Sequence, residues 1–211
     1  MSPRAEQKQQ TRHALMHAAL TLMQTGRGFG SLSLREVART AGIVPTGFYR
    51  HFADMNELGL ALVAEVGETF RAAIRQVRKH EFELRGIIDA SVRIFLAEVA
   101  ANHDQFLFLA REQYGGSQPV RQAITTLRER IANDLAADLK LMNRMPQLDD
   151  AAVDLVSDLV VKTVFATLPE LIDPPAANQP AHLSAENKII QQLRFIMIGG
   201  KHWQGPGKPS A

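Results

Sequence analysis

Tyr49, Arg50 and His51 stand in a row between two phenylalanines, Phe48 and Phe52, shortly after Gly42. A phenol, a guanidinium and an imidazole all donate hydrogen bonds, and two of them carry or can acquire positive charge. Such a set suits holding an anion and is not suited to covalent chemistry. No Ser/His/Asp grouping is identifiable elsewhere. His13 and His17 are four apart on a helix, a spacing open to a metal, but no third ligand accompanies them; two exposed histidines are the expected reading. Asp149 and Asp150 favour a helix dipole, and Asp154 and Asp158 read as a solvated face. Gly26, Gly28 and Gly30 miss the phosphate-loop spacings and follow a helix instead of a strand. No catalytic residue, metal site or cofactor is expected, and the chain does not read as an enzyme.

The elements that must position these groups read as helical throughout. Apolar residues recur at three and four, and β-branched runs of period two are missing. A first helix is expected from Glu6 to Gln24, closed by the three glycines. Ser33 and Glu36 form a capping-box pattern that opens a short helix, Leu34 to Ala41. Gly42 stops it, and Pro45 starts a second short helix, where a missing N–H costs nothing. Asp54 and Glu57 repeat the cap and start a long helix to about Lys79. Further helices are expected over Arg85–Ala101, Asp104–Tyr114, from the Gly115–Pro119 break to about Met142, over Asp150–Leu168, and from Ser184 to about His202. Pro169, Pro174, Pro175 and Pro180 mark a loop, and the tail 204–211 should be frayed. The expected division is a module over 1–53, a helical domain over 54–203 and the tail.

Two short helices joined by a tight glycine turn make a helix-turn-helix, whose second helix enters the DNA major groove. In that pattern Phe48 and Phe52 face inward with Val37, Ala38 and Ile43. Thr46, Gly47, Tyr49, Arg50 and His51 then face outward. The tyrosine and histidine reach phosphates, while Thr46, the bare backbone of Gly47 and Arg35 on the bracing helix are placed for base edges.

Bulk properties agree. The chain has 211 residues and 45% hydrophobic content, enough for a packed core. Net charge is only +2, yet residues 1–52 hold seven basic and two acidic groups, leaving −3 for the remainder. A basic front on a mildly acidic body suits a polyanion partner. The absence of cysteine excludes disulfides and thiolate metal sites. With no signal-peptide pattern and no membrane-length apolar run, a cytoplasmic location is expected.

The stretch SLREVARTAGIVPTGFYRHFADMNELGLALV resembles the DNA-binding domain of TetR-family bacterial repressors. That resemblance implies an all-α homodimer: three N-terminal helices bind double-stranded operator DNA, and a larger C-terminal domain holds a small-molecule pocket and the dimer interface. It places Arg35, Thr46 and Gly47 at base-facing positions, and Ser33, Tyr49 and His51 at phosphate-facing ones. The chain departs from the family at Met55, where a lysine is common. RAEQKQQTRHAL and FLFLAREQYGGS extend the likeness to the unsaturated-fatty-acid branch, of FabR and DesT type. That implies a long-chain acyl-CoA effector and genes governing the saturated/unsaturated balance, with the desaturase-regulator type favoured.

An acyl chain would need an apolar tunnel. Ile88, Val92, Phe95, Leu96, Phe106, Leu109, Val161, Val164 and Phe165 are candidates to line it, with Arg111 and Lys162 among the cations available for the CoA phosphates. At helical spacing these apolar residues are more often ordinary core. Arg111 with Glu112 is equally open to reading as a buried ion pair. Val153, Val156, Val160 and Val164 on one helix, and Ile189, Ile190, Leu193, Ile196 and Met197 on the last, are expected to form a dimer interface, or else intramolecular core. Two rival functions stand beside lipid sensing: a multidrug-efflux or xenobiotic regulator with the same DNA head, and a helical lipid carrier with no DNA role.

Overall fold

A computed structural model describes residues 2–78, 84–173, 181–203 and 205. The described residues form nine α-helices and no strand: α1 Pro3–Met23, α2 Leu34–Thr40, α3 Pro45–Phe48, α4 Met55–Arg78, α5 Leu84–Ala101, α6 His103–Glu112, α7 Gln118–Leu141, α8 Asp150–Ile172 and α9 Ala181–Lys201. Pro174, Pro175, Pro180 and all of the expected tail except Gly205 lie outside the described residues. No described helix is long and apolar enough to cross a membrane.

The chain divides into two compact units, Met1–Thr69 with Asn102–Leu127, and Phe70–Ala101 with Arg128–Ala211. The first contains all of residues 1–53 together with the start of α4, α6 and the first part of α7. Its core is made by Leu15, Met23, Val37, Phe48, Phe52, Leu58, Leu62, Phe106, Phe108 and Ile124, among others. Phe29, in a single 3-10 turn over Phe29–Ser31, is buried and meets Phe108 edge to face at 5.5 Å. The glycine-rich connector after α1 is therefore an anchored segment.

Helix α6 is tied to that connector by polar bonds as well. Gln24 Nε2 donates to Asp104 Oδ2 at 2.7 Å, and Arg111 Nη1 donates to the Met23 carbonyl at 2.8 Å. The Phe29 N–H donates to Glu112 Oε1 at 2.8 Å, and Glu112 is almost wholly buried. Arg111 and Glu112 thus turn to different partners, and of the readings left open for them the mutual ion pair is the one this geometry does not show. Neighbours in a helix point about 100° apart and do not face each other.

In the second unit α9 packs on α8 and on α5. Phe70 stacks on Phe95 and on Phe165, with centroids 5.8 and 5.5 Å away. Arg194 Nη2 reaches both carboxylate oxygens of Asp89 at 2.8 Å, joining α9 to α5. Asp149 caps α8 through the Ala152 N–H. This helix runs four residues past Leu168, through Pro169. Proline lacks the N–H that would reach Phe165, but so near the end only one further turn depends on it, and the Asp173 N–H still reaches the Pro169 carbonyl at 3.0 Å.

The valine and isoleucine stripes expected at a dimer interface are mostly consumed inside this unit. Val153, Val156, Ile189, Ile190, Leu193 and Met197 are buried in the single chain, and Val160, Val164 and Ile196 are half-buried. Leu155 and Leu159 on α8, and Phe195, 80% exposed, and Ile198 on α9 are among the large apolar groups left outside.

Candidate nucleic-acid interface

Helix α2 begins with a complete capping box. Ser33 Oγ accepts from the Glu36 N–H at 3.2 Å, and Glu36 Oε2 accepts from the Ser33 N–H at 3.0 Å. Arg27 Nη1 adds a bond to Glu36 Oε1 at 3.0 Å. These interactions, led by the Arg27 bond and reinforced by Ser33, hold the Glu36 carboxyl down at about 2. The connector before α2 is thereby fastened to its first turn.

The helix ends in a Schellman closure. Ile43 N–H reaches the Ala38 carbonyl at 2.8 Å and Gly42 N–H the Arg39 carbonyl at 3.0 Å, with Gly42 at φ +71°. A residue with a Cβ is strained there, so the turn requires glycine. Pro45 then opens α3, a single turn ending at Phe48. A Cβ on Gly47 would stand 2.7 Å from Ile43 Cγ2, so packing inside the turn accounts for that glycine. Helix α4 is capped by Asp54 Oδ1, which accepts from the Glu57 N–H at 2.8 Å, while Glu57 reaches back to the Ala53 N–H.

These constraints divide the ring cluster. Phe48 is 0% and Phe52 1% exposed, packed at 5.7 Å centroid separation, and Val37 and Ala38 of α2 are fully buried as well. Tyr49 is 63% exposed. Ser33, Arg35, Thr46 and Arg50 are exposed, while Ile43, Gly47, His51 and Met55 are half-buried. Between α2 and α3 lies an open concavity of about 540 Å³, lined by Arg35, Glu36, Arg39, Gly42, Ile43, Val44 and Pro45. Val44 is 68% exposed at its edge.

Arg12 and Lys8 on α1 belong to the same region and are not singled out by sequence reasoning. Arg12 Nη1 donates to the His51 carbonyl at 2.9 Å, and its guanidinium lies over the Phe52 ring at 4.2 Å. Burial, then the charges of Lys8, Arg12 and Arg50, push the His51 imidazole below its ordinary pKa. The available signal was the spacing of Arg4, Lys8 and Arg12, four apart along one helix face.

The expected effector residues are not gathered in one unit. Phe106, Leu109 and Arg111 belong to the first, with both apolar side chains fully buried and Arg111 engaged on Met23. Ile88, Val92, Phe95, Leu96, Val161, Lys162, Val164 and Phe165 belong to the second. There Ile88, Val92, Phe95, Val161 and Phe165 are buried, and Lys162 pairs with Asp158 at 2.6 Å. No group of three or more His, Cys, Asp or Glu suited to a metal occurs among the described residues.

A capped bracing helix, a left-handed glycine turn and a short second helix with polar groups outward define a helix-turn-helix protein of the all-α class. Residues 15–62 match the family model of bacterial regulatory proteins of the tetR family, and residues 84–199 match that of the tetracyclin repressor-like C-terminal domain. The chain belongs to the TetR family of transcriptional regulators, DNA-binding proteins that form dimers. Solved structures agree in fold. A TetR-family regulator from Syntrophomonas wolfei aligns at TM-score 0.71 and 14% identity, over 95% of this chain and 99% of its own. Salmonella enterica GusR aligns at 0.68 and 20%, over 89% and 95%. The regulator FadR from Bacillus subtilis, solved in complex with stearoyl-CoA, aligns at 0.68 and 14%, over 86% and 96%.

Proposed function

We propose that this chain is a dimeric repressor of genes for fatty acid desaturation or unsaturated fatty acid synthesis. It binds a palindromic operator and responds to the saturation state of long-chain acyl-CoA. The observation that carries the DNA half is the opposite exposure of Phe48 and Phe52 on one side and Tyr49 on the other. In this reading Tyr49, Arg50, His51 and Ser33 position the module on phosphates, and Arg35, Thr46 and Gly47 face bases. Met55 leaves the start of α4 without a lysine contact, so the helix N-terminus itself faces any phosphate there. Residues 1–53 act as the DNA head and 54–203 as the effector and dimerisation part.

The fold shared with a stearoyl-CoA-bound regulator supports the acyl-CoA half. So does an interior rich in rings, where Phe70, Phe95 and Phe165 stack. Phe95 and Phe165, with Ile88, Val92, Leu96, Val161 and Val164, line the chain's path within the second unit. In the same unit Lys162 faces the CoA phosphates after leaving its present partner, Asp158. Two operator-bound heads must span successive major grooves, about 34 Å or a multiple of it apart. A ligand alters operator affinity only through its differential affinity for the spacings that fit and those that do not. A bent cis-unsaturated chain and a straight saturated one differ in shape, and so differ in that preference.

The test titrates the protein on a DNA fragment it selects from genomic DNA, with stearoyl-CoA and with oleoyl-CoA. Opposite or clearly unequal shifts in operator affinity are expected. Identical responses, with no acyl-CoA retained in native mass spectra of the purified protein, remove the lipid reading and leave a regulator with a broad apolar pocket.

A further inference from the structure

Among residues 2–53 the exposed large hydrophobic side chains are Val44 and Tyr49, and Val44 is the more exposed at 68%. Tyr49 has a hydroxyl to offer a duplex, whereas Val44 has only methyl groups. Val44 sits in the turn itself, ahead of Pro45, and is extended at φ −65° and ψ 143°. A following proline keeps a residue out of the helical region, and branching at Cβ restricts χ1. The side chain is therefore presented in few arrangements, and little freedom is lost when something covers it. A Cβ on Gly47 would stand 3.8 Å from Val44 Cγ2, so the missing side chain leaves bare backbone beside that methyl.

The neighbours narrow the choice of what covers it. Val44 lines the concavity between α2 and α3 together with Ile43, Pro45, Arg35 and Arg39. Arg35 and Arg39 stand about one turn apart on α2, and both are exposed. Glu36, the carboxylate between them in sequence, is engaged by Arg27 and by the Ser33 N–H. An apolar step rimmed by two guanidiniums suits an apolar group carried on a polyanion. The major groove of unmodified DNA offers one such group, the C5-methyl of thymine.

We infer that Val44 reads the C5-methyl group of one thymine in each half-site of the operator. The inference rests on the DNA-binding reading above, and adds a residue and a base identity to it. Thymine is told from uracil by this methyl group alone, and 5-methylcytosine presents a methyl at the same ring position. Burying one such group is worth about fourfold in affinity, so about fourfold per half-site and about 15-fold for the two together.

Full-length protein is titrated, at fixed salt, on its selected duplex and on a series in which each thymine and its symmetry mate are replaced by uracil. Uracil pairs with adenine as thymine does and lacks only the methyl. One symmetric pair is expected to weaken wild type by about 10–20-fold. Val44→Ala changes an exposed position, so its circular dichroism should match wild type. It should bind the all-thymine duplex about 10–20-fold more weakly and lose nothing further when uracil enters that pair. Val44→Thr keeps the branching and one methyl, and its uracil penalty should fall between the two. With cytosine at that pair wild type should weaken, and 5-methylcytosine should restore part of the loss. A uracil series without a loss at any pair, or a loss that persists undiminished in Val44→Ala and Val44→Thr, overturns the inference while leaving DNA binding intact. Failure of wild type to bind any duplex overturns the DNA-binding reading and this inference with it.

Discussion

Arg12 clamps the turn that carries His51: its guanidinium donates to the His51 carbonyl at 2.9 Å and covers the Phe52 ring at 4.2 Å. One side chain of α1 therefore fixes both a buried ring and the backbone beside it. A charged donor to a carbonyl and a cation over an aromatic face are each worth about 1–2 kcal/mol when partly desolvated. Arg12→Ala should lower unfolding free energy by about 1–3 kcal/mol in urea titrations. Arg12→Lys should recover only part of it, because a single ammonium cannot serve both partners with a planar fork.

Phe52 is packed against Phe48 with almost no exposure. Phe52→Ala should cost about 3–5 kcal/mol of stability and melt the DNA head. Tyr49→Phe removes only an exposed hydroxyl, so its unfolding midpoint should stay within about 0.5 kcal/mol of wild type. Urea unfolding of the two variants side by side checks the contrast.

Glu36 gives a pH prediction of defined sign. Its folded pKa lies near 2 against an ordinary 4.5, held down first by Arg27 and then by Ser33. The stability it supplies is complete above pH 4.5 and is lost as pH falls from 4.5 towards 2, where the folded form also takes up the proton. In Glu36→Gln the acid-unfolding curve should be flatter over that window, with lower stability at pH 7. A curve parallel to wild type would show that the capping carboxylate carries no acid sensitivity.

Phe195 and Ile198 on α9, with Leu155 and Leu159 on α8, are large apolar groups exposed on the described parts of these two helices. If they meet a second copy, Phe195→Glu should give a monomer by light scattering at micromolar concentration while circular dichroism stays unchanged. Ile190→Glu, placed in the protomer's own core, should instead lower helix content. A Phe195→Glu protein that remains dimeric would move the interface elsewhere.

The sequence made some of these relationships legible and concealed others for physical reasons. Local ones were legible: the Ser33–Glu36 box, the Asp54 cap, glycine at the turn and the four-residue spacing of Phe48 and Phe52 are set by neighbours along the chain. The Arg12–His51 bond spans 39 positions, and only tertiary packing makes it. The stripes on α8 and α9 left interface and core both open, because valines at helical period satisfy the two equally. Burial then shows the core takes Val153 and Val156 and leaves Leu155 and Leu159 outside. For Gly47, Ile43 explains the missing side chain, a reason invisible without the turn's geometry. An Arg111–Glu112 ion pair was one open reading; adjacency on a helix separates side chains, and the two bond to the Met23 carbonyl and the Phe29 N–H instead.

The most direct test of the central claim is the salt-dependent affinity of Tyr49→Phe and Arg35→Ala, beside wild type, for a palindromic fragment selected from genomic DNA. Wild type should bind with affinity that falls steeply as salt rises. Tyr49→Phe should weaken all sequences about equally, while Arg35→Ala should cost about 1–3 kcal/mol on the selected site and relax its sequence preference. Unaltered binding in both folded variants would contradict the assignment of this face to DNA.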